Sequence, residues 1–153
     1  MNSLIKTYLA GGFYGDWHKY VINRCDDEVP GIFTFLNPIV PWIKDGNDEL
    51  ISEEEKEETD KKLTQSLWWP PDKFCVRMAD IVFVYFRDYR PKLLGVGEVF
   101  EIGMCFAWDK FTIVVNEVDH RYYRGVARMF PNFKTLKEGV DYLIHCAWVG
   151  GDM

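Results

Sequence analysis

Apolar residues fall in two rhythms along this chain. Compact apolar or β-branched runs cover Leu4 to Ala10, Gly31 to Leu36, Asp80 to Phe86 and Lys110 to Asn116. Each is bounded by Gly, Pro, Asn or Asp, which reads as a strand. Val82-Phe83-Val84-Tyr85-Phe86 and Thr112-Ile113-Val114-Val115 are continuous enough to be buried on both faces of a sheet. Between these runs the spacing turns helical. Trp17, Tyr20, Val21 and Cys25 follow Asp16, which stands where an N-cap belongs. Pro71 or Asp72 opens a short helix to Met78, and Val99 to Trp108 reads as a largely buried helix. Residues 119–129 carry a weaker helical pattern. Thr135 with Glu138 forms a capping box for a last helix to about Trp148, with Leu136, Val140, Leu143 and Ile144 turned inward.

Strands alternating with helices from end to end predict an α/β fold: a flavodoxin-like, doubly wound parallel sheet of four or five strands. No repeat, linker or low-complexity tract interrupts the 153 residues, so residues 1–153 are expected to form a single domain. Ligands in such sheets bind beyond the carboxyl ends of the strands, where the strand order reverses. That rule selects Ala10 to Tyr14, Arg87 to Glu101 and Asn116 to Asp119.

Charge changes the picture locally. The formal net charge is −6, yet residues 44–62 hold nine acids against four lysines, so the remainder is nearly neutral. Ser52 with Glu55, and the pairs Glu57–Lys61 and Glu58–Lys62, predict a solvated helix there. The acidic balance argues against a nucleic-acid polymer as partner. No apolar run reaches the roughly 20 residues of a membrane-spanning helix, and the first residues enter a strand pattern without a signal-peptide core. A cytoplasmic setting is the expectation.

Cys25, Cys75, Cys105 and Cys146 are far apart, and His18, His120 and His145 make no ligand pair, so neither a metal nor another cofactor is expected. Cys105 and Cys146 sit in apolar helical patterns and read as buried thiols; a cysteine nucleophile with a distant histidine is the minor alternative. Gly11-Gly12 allows close approach to the backbone, and Phe13 and Tyr14 behind it offer rings for stacking. Gly95-Val96-Gly97 puts a glycine-rich turn at a strand end. Glu101 then falls in the first or second turn of an apolar helix, among Val99, Phe100, Ile102 and Met104. A glutamate there suits a cleft, and the helix N-terminus would favour its ionised form. Such a poorly solvated carboxylate can serve as a nucleophile. The segment is neither a Walker A loop nor a GxGxxG fingerprint.

Three segments in order, over roughly residues 4–116, resemble the nucleoside 2-deoxyribosyltransferase family: Tyr8-Leu9-Ala10-Gly11-Gly12-Phe13, Ala79-Asp80-Ile81-Val82, and Gly97-x-x-x-Glu101-Ile102-Gly103-Met104-x-x-Ala107. Gly15-Asp16-Trp17 is shared with a looser deoxyribosyltransferase-like group. The resemblance implies a flavodoxin-like enzyme that cleaves the N-glycosidic bond of 2′-deoxynucleosides or their 5′-monophosphates. It implies Glu101 as the nucleophile toward C1′ and Asp72 as the acid beside the departing base. Gly11, Gly12, Phe13, Tyr14 and Gly97 would line the substrate pocket, with Asp88 nearest to the place of a sugar-binding aspartate. Deoxyribose would pass to a free nucleobase or to water, and the protein would be a homo-oligomer, with Asn132 a weak match to an asparagine lent between subunits. The chain departs from the pattern at Gly12 and Glu98. Arg90 and Lys92 intrude beside Asp88, where Arg and Lys would suit a 5′-phosphate. A non-catalytic nucleotide-binding module in the same cleft is the alternative reading.

Overall fold

The computed structural model describes residues 4–11, 16–36, 54, 71–86, 96–117, 124–125 and 127–151. Five parallel strands form one sheet: β1 (Ile5–Gly11), β2 (Phe33–Leu36), β3 (Ile81–Phe86), β4 (Phe111–Asn116) and β5 (Asn132–Phe133), in the order β2-β1-β3-β4-β5. Among the described residues the bounded helices are α1 (Trp17–Glu28), α2 (Pro71–Met78), α3 (Val96–Ala107) and α4 (Leu136–Gly151). This is the flavodoxin-like order that the alternation predicts. The fifth strand, of two residues, has no apolar run to announce it. It forms because Val114 and Val115 offer an open edge to Asn132 and Phe133.

Alternation along the strands divides the core into two layers. Leu9, Ile81, Phe83, Tyr85, Ile113 and Val115 face α1 and α4 together with Trp17, Val21, Cys25, Val140 and Leu143. Tyr8, Ala10, Val82, Val84, Phe86 and Val114 face the other way, against Val76 of α2 and Ile102 and Cys105 of α3. All six residues of β3 are buried, as its continuous apolar run requires. Gly139 sets how closely α4 approaches: a Cβ there would lie 2.2 Å from Val115 Cγ2 and 3.3 Å from Phe83 Cζ.

The amino-terminal ends of the strands are fastened by polar pairs. The Lys6 N–H donates to Asp80 Oδ2 at 2.8 Å, and the Asp80 N–H returns a bond to the Lys6 carbonyl at 2.7 Å. The Ala79-Asp80 motif thus has a structural duty. Lys110 Nζ donates to the carbonyls of Arg77 and Ala79, closing the carboxyl end of α2 where a cation is favoured. The Thr135/Glu138 capping box is present in both directions, each bond 3.2 Å long.

Several helical expectations need correction. Asp16 occupies the N-cap of α1 but its side chain makes no capping bond; its carbonyl simply accepts the Tyr20 N–H. Tyr20 faces outward instead of joining Trp17, Val21 and Cys25. The α3 helix starts at Val96, so Gly97 lies inside it and not in a preceding turn. Nor are the described side chains of α3 all buried: Ile102 and Cys105 are covered, whereas Phe106 is 63% exposed, because only one face of a helix can meet the sheet. It ends on Asp109 at φ 52°, with the Lys110 N–H reaching back to the Cys105 carbonyl, a left-handed cap made without glycine. Cys146 is half-buried and not fully covered. Arg124, Gly125 and Ala127 are helical, in keeping with the pattern over 119–129. The capping box at Ser52 and the pairs at 57–62 lie outside the described residues. Among the described residues no helix is long and apolar enough to cross a membrane.

Candidate functional site

The strand order reverses between β1 and β3, which run side by side from Thr7↔Ile81 to Gly11↔Tyr85. From β1 the chain goes to β2 on one side and then crosses to β3 on the other, opening a crevice at their carboxyl ends. Helix α3 follows β3 and packs against both strands, so its inner face borders that crevice.

Glu101 is on this inner face, at the sixth position of α3, and is only 7% exposed. It lies in the second turn, beyond the first turn where the helix macrodipole acts most strongly. A side chain from another element supplies the specific contact. Tyr8 of β1, itself 1% exposed, donates its hydroxyl proton to Glu101 Oε1 at 2.9 Å. The bond joins residues 93 positions apart and ties the first strand to α3. A carboxylate removed from bulk water and held by a phenol keeps a fixed position and few competing solvent contacts. That combination suits attack on an electrophilic carbon or acceptance of a proton.

Around the same rim, on the other face, Gly11 ends β1 where a Cβ would meet Trp17 Cζ2 at 2.7 Å and the Tyr85 carbonyl oxygen at 2.8 Å. Packing alone therefore demands glycine at position 11. Trp17 sits edge-on to Tyr85 at 5.1 Å and beside the His18 ring at 3.7 Å. His18 is buried, and desolvation lowers its pKa to about 4 against the opposing pull of the Leu9 backbone, so it is neutral at pH 7. The Tyr85 hydroxyl donates to Glu117 Oε2 at 2.7 Å, while Glu117 Oε1 accepts the Leu136 N–H at 3.1 Å. Glu117 thereby fixes β3, the end of β4 and the start of α4 to one another.

Three of the four cysteines are set against acting as a nucleophile. Burial pushes the Cys25 thiol up to about 12, and burial and the nearby Glu101 push Cys105 up to about 11. Cys146 is also raised, chiefly by burial. Thiols shifted this way stay protonated at neutral pH. Among the described residues no group of three His, Cys, Asp or Glu is arranged to hold a metal ion.

The other expected site residues are placed unevenly. Asp72 is the second residue of α2, and α2 packs on α3, so the backbones bearing Asp72 and Glu101 belong to neighbouring helices on one face of the sheet. The Asp72 side chain lies outside the described set, as do Gly12, Phe13, Tyr14, Asp88, Arg90 and Lys92. Asn132 is on the edge strand β5, and its Nδ2 donates to the Phe130 carbonyl of its own chain at 3.0 Å. Tyr8 belongs to the first of the three family-like segments, which by itself gives it no role. Its signal was available: Leu9 faces α1, so Tyr8 must face the opposite layer, and a buried tyrosine hydroxyl requires a partner there.

A scan of protein-family descriptions finds no match, and a search of curated proteins finds none either. Among solved structures, the chain is similar to the Clostridium botulinum CMP N-glycosidase BcmB, at 14% identity and a TM-score of 0.47, covering 90% of this chain and 97% of that one.

Proposed function

We propose that this protein cleaves the N-glycosidic bond of 2′-deoxynucleosides or their 5′-monophosphates, with Glu101 as nucleophile. The observation that carries the reading is the buried Glu101 carboxylate, held by the Tyr8 hydroxyl on the helix bordering the β1/β3 crevice. The residues around it, Tyr8 to Gly11 and Gly97 to Ala107, are those that resemble the deoxyribosyltransferase family.

In the first half-reaction a Glu101 oxygen bonds to C1′ as the bond from C1′ to the base nitrogen breaks. The electron pair leaves with the base, which takes a proton from the acid, Asp72 in this reading. The result is a glycosyl ester on Glu101. In the second half, a nitrogen of another base or a water oxygen attacks C1′. The ester bond breaks, Glu101 returns as a carboxylate, and the acceptor yields its proton to Asp72. Configuration at C1′ is retained, as in any double displacement. Tyr8 acts as a positioning residue for Glu101. Gly12, Phe13, Tyr14, Asp88 and Gly97 are the proposed pocket lining, and the whole chain is proposed to act as one domain within a homo-oligomer.

The test is chromatography of deoxynucleosides and deoxynucleotides incubated with the protein, with and without a second free base. Base exchange or release of base is expected from the wild type and not from Glu101→Ala of unchanged fold. Undiminished turnover by Glu101→Ala would sink the assignment. Intact-mass detection of a deoxyribosyl adduct, lost in that variant, would identify the intermediate.

A further inference from the structure

Two buried polar atoms with no hydrogen-bond partner among the described residues, Thr7 Oγ1 and Asn116 Oδ1, contrast sharply in position. Thr7 sits at mid-sheet, paired with Ile81 at the start of β3. Asn116 is the last residue of β4, at the carboxyl rim, where it pairs with Phe86. Ile113 and Val115 face α1 and α4, whereas Val114 faces α2 and α3. By alternation Asn116 faces the α2/α3 side. That is the side on which Glu101 and Tyr8 meet.

We infer that Asn116 is a substrate-recognition residue whose buried carboxamide oxygen accepts an N–H or O–H from the bound nucleoside or nucleotide. This rests on the function proposed above. A buried acceptor without a donor is costly, and that cost is removed when a ligand supplies the donor. The spacing is suitable. Tyr8, Val82 and Thr112 share one row of the sheet, and Asn116 lies two strands from β1 and four residues further on. With strands about 4.8 Å apart and a rise of about 3.3 Å per residue, the Cα atoms of Tyr8 and Asn116 are roughly 16 Å apart. The side chains at its two ends, Tyr8 with Glu101 and Asn116, bridge part of that span. Three groups of such a substrate carry the required proton: the exocyclic amine of a base, the ring N–H of uracil, thymine or guanine, and a sugar hydroxyl. A site built around a hydrogen bond to one of these discriminates against analogues lacking it.

The experiment compares wild type, Asn116→Leu and Asn116→Asp on 2′-deoxycytidine, 2′-deoxyuridine and cytidine, with and without a 5′-phosphate. KM and kcat are read for each, and Kd is measured calorimetrically on the same Asn116 replacements in a Glu101→Ala background. For Asn116→Leu we expect KM and Kd to rise tenfold or more for substrates bearing the donor, with a smaller change in kcat. Its thermal midpoint should stay at or above wild type, since an unsatisfied acceptor is gone. Asn116→Asp, which keeps an acceptor in place, should retain the discrimination. A loss confined to 2′-deoxycytidine and cytidine assigns the donor to the base amine, one confined to 2′-deoxyuridine assigns it to the ring N–H, and one shared by all three assigns it to a sugar hydroxyl. Unchanged KM and Kd for every substrate, or a loss of stability without altered discrimination, overturns the inference and leaves Glu101 chemistry standing. A wild type that neither cleaves nor binds any of these compounds overturns both.

Discussion

The two faces of the central sheet solve different problems. Beneath α1 and α4 the layer is filled by aromatic and branched side chains: Trp17 against Tyr85 and Phe83, and Gly139 pressed onto Val115. Its buried imidazole, His18, is kept neutral. Beneath α2 and α3 the same strands bury Tyr8 and Glu101 in a hydrogen bond. The first face maximises close packing. The second accepts a buried carboxylate, a feature rarely kept for stability because its desolvation is costly. The difference says where stability resides and where chemistry is to be sought.

The comparison is broken most directly at Glu101. Replacing it with Gln keeps the shape and a partner for Tyr8 while removing the nucleophilic charge. Turnover should fall by about a thousandfold or more, near 4 kcal/mol of barrier, while the urea midpoint holds or rises. An equal loss of stability would mean that the carboxylate serves the fold.

On the opposite face His18 should make stability depend on acidity. Its folded pKa of about 4 lies below the unfolded 6.5. Between these values the unfolded chain binds the extra proton, so stability falls as pH drops from about 6.5 to about 4 and is unaffected above. The full loss is about 3 kcal/mol from the 2.5-unit shift. Denaturant titrations of wild type and His18→Gln across that window should differ in slope, with the variant flatter.

Gly139→Ala should cost about 2 kcal/mol, because the added methyl overlaps Val115 Cγ2 and α4 must lift from the sheet. Chemical denaturation reads the stability, and kcat should be largely spared. Tyr8→Phe should cost about 1–2 kcal/mol by withdrawing a donor from a buried carboxylate. Unlike Gly139→Ala, it should lower kcat more than it changes KM. The smallest effect is a gain. Asp109→Gly relieves the left-handed residue ending α3 and should stabilise by about 0.5–1 kcal/mol, seen as a higher thermal midpoint with activity unchanged.

Much of the architecture was legible because burial writes itself into a single strand or helix. The continuous run of β3, the helical spacing of Trp17, Val21 and Cys25, and the Thr135/Glu138 box are each local, and each appears in the fold. Strand β5 was not legible, since two residues joining an edge carry no periodicity of their own. In sequence Gly97 reads as part of a turn, because two nearby glycines look alike whether they break a helix or begin one. Gly139 carried no visible signal at all. Its reason is the distance between α4 and β4, which no sequence window contains.

By itself the sequence determined the alternation of elements, hence the parallel sheet, and it singled out Glu101 as a charge misplaced in an apolar helix. Local propensity and periodicity suffice for both, because they concern residues within one or two turns of each other. Only the tertiary structure decided that Tyr8 is the partner of Glu101, 93 residues away, and that Glu117 joins Tyr85 to the start of α4. It also decided that position 11 is closed to any side chain, by Trp17 and by the Tyr85 carbonyl. These are contacts across the sheet and across its layers. They depend on strand order and register, which the alternation of residues limits and the packed core selects.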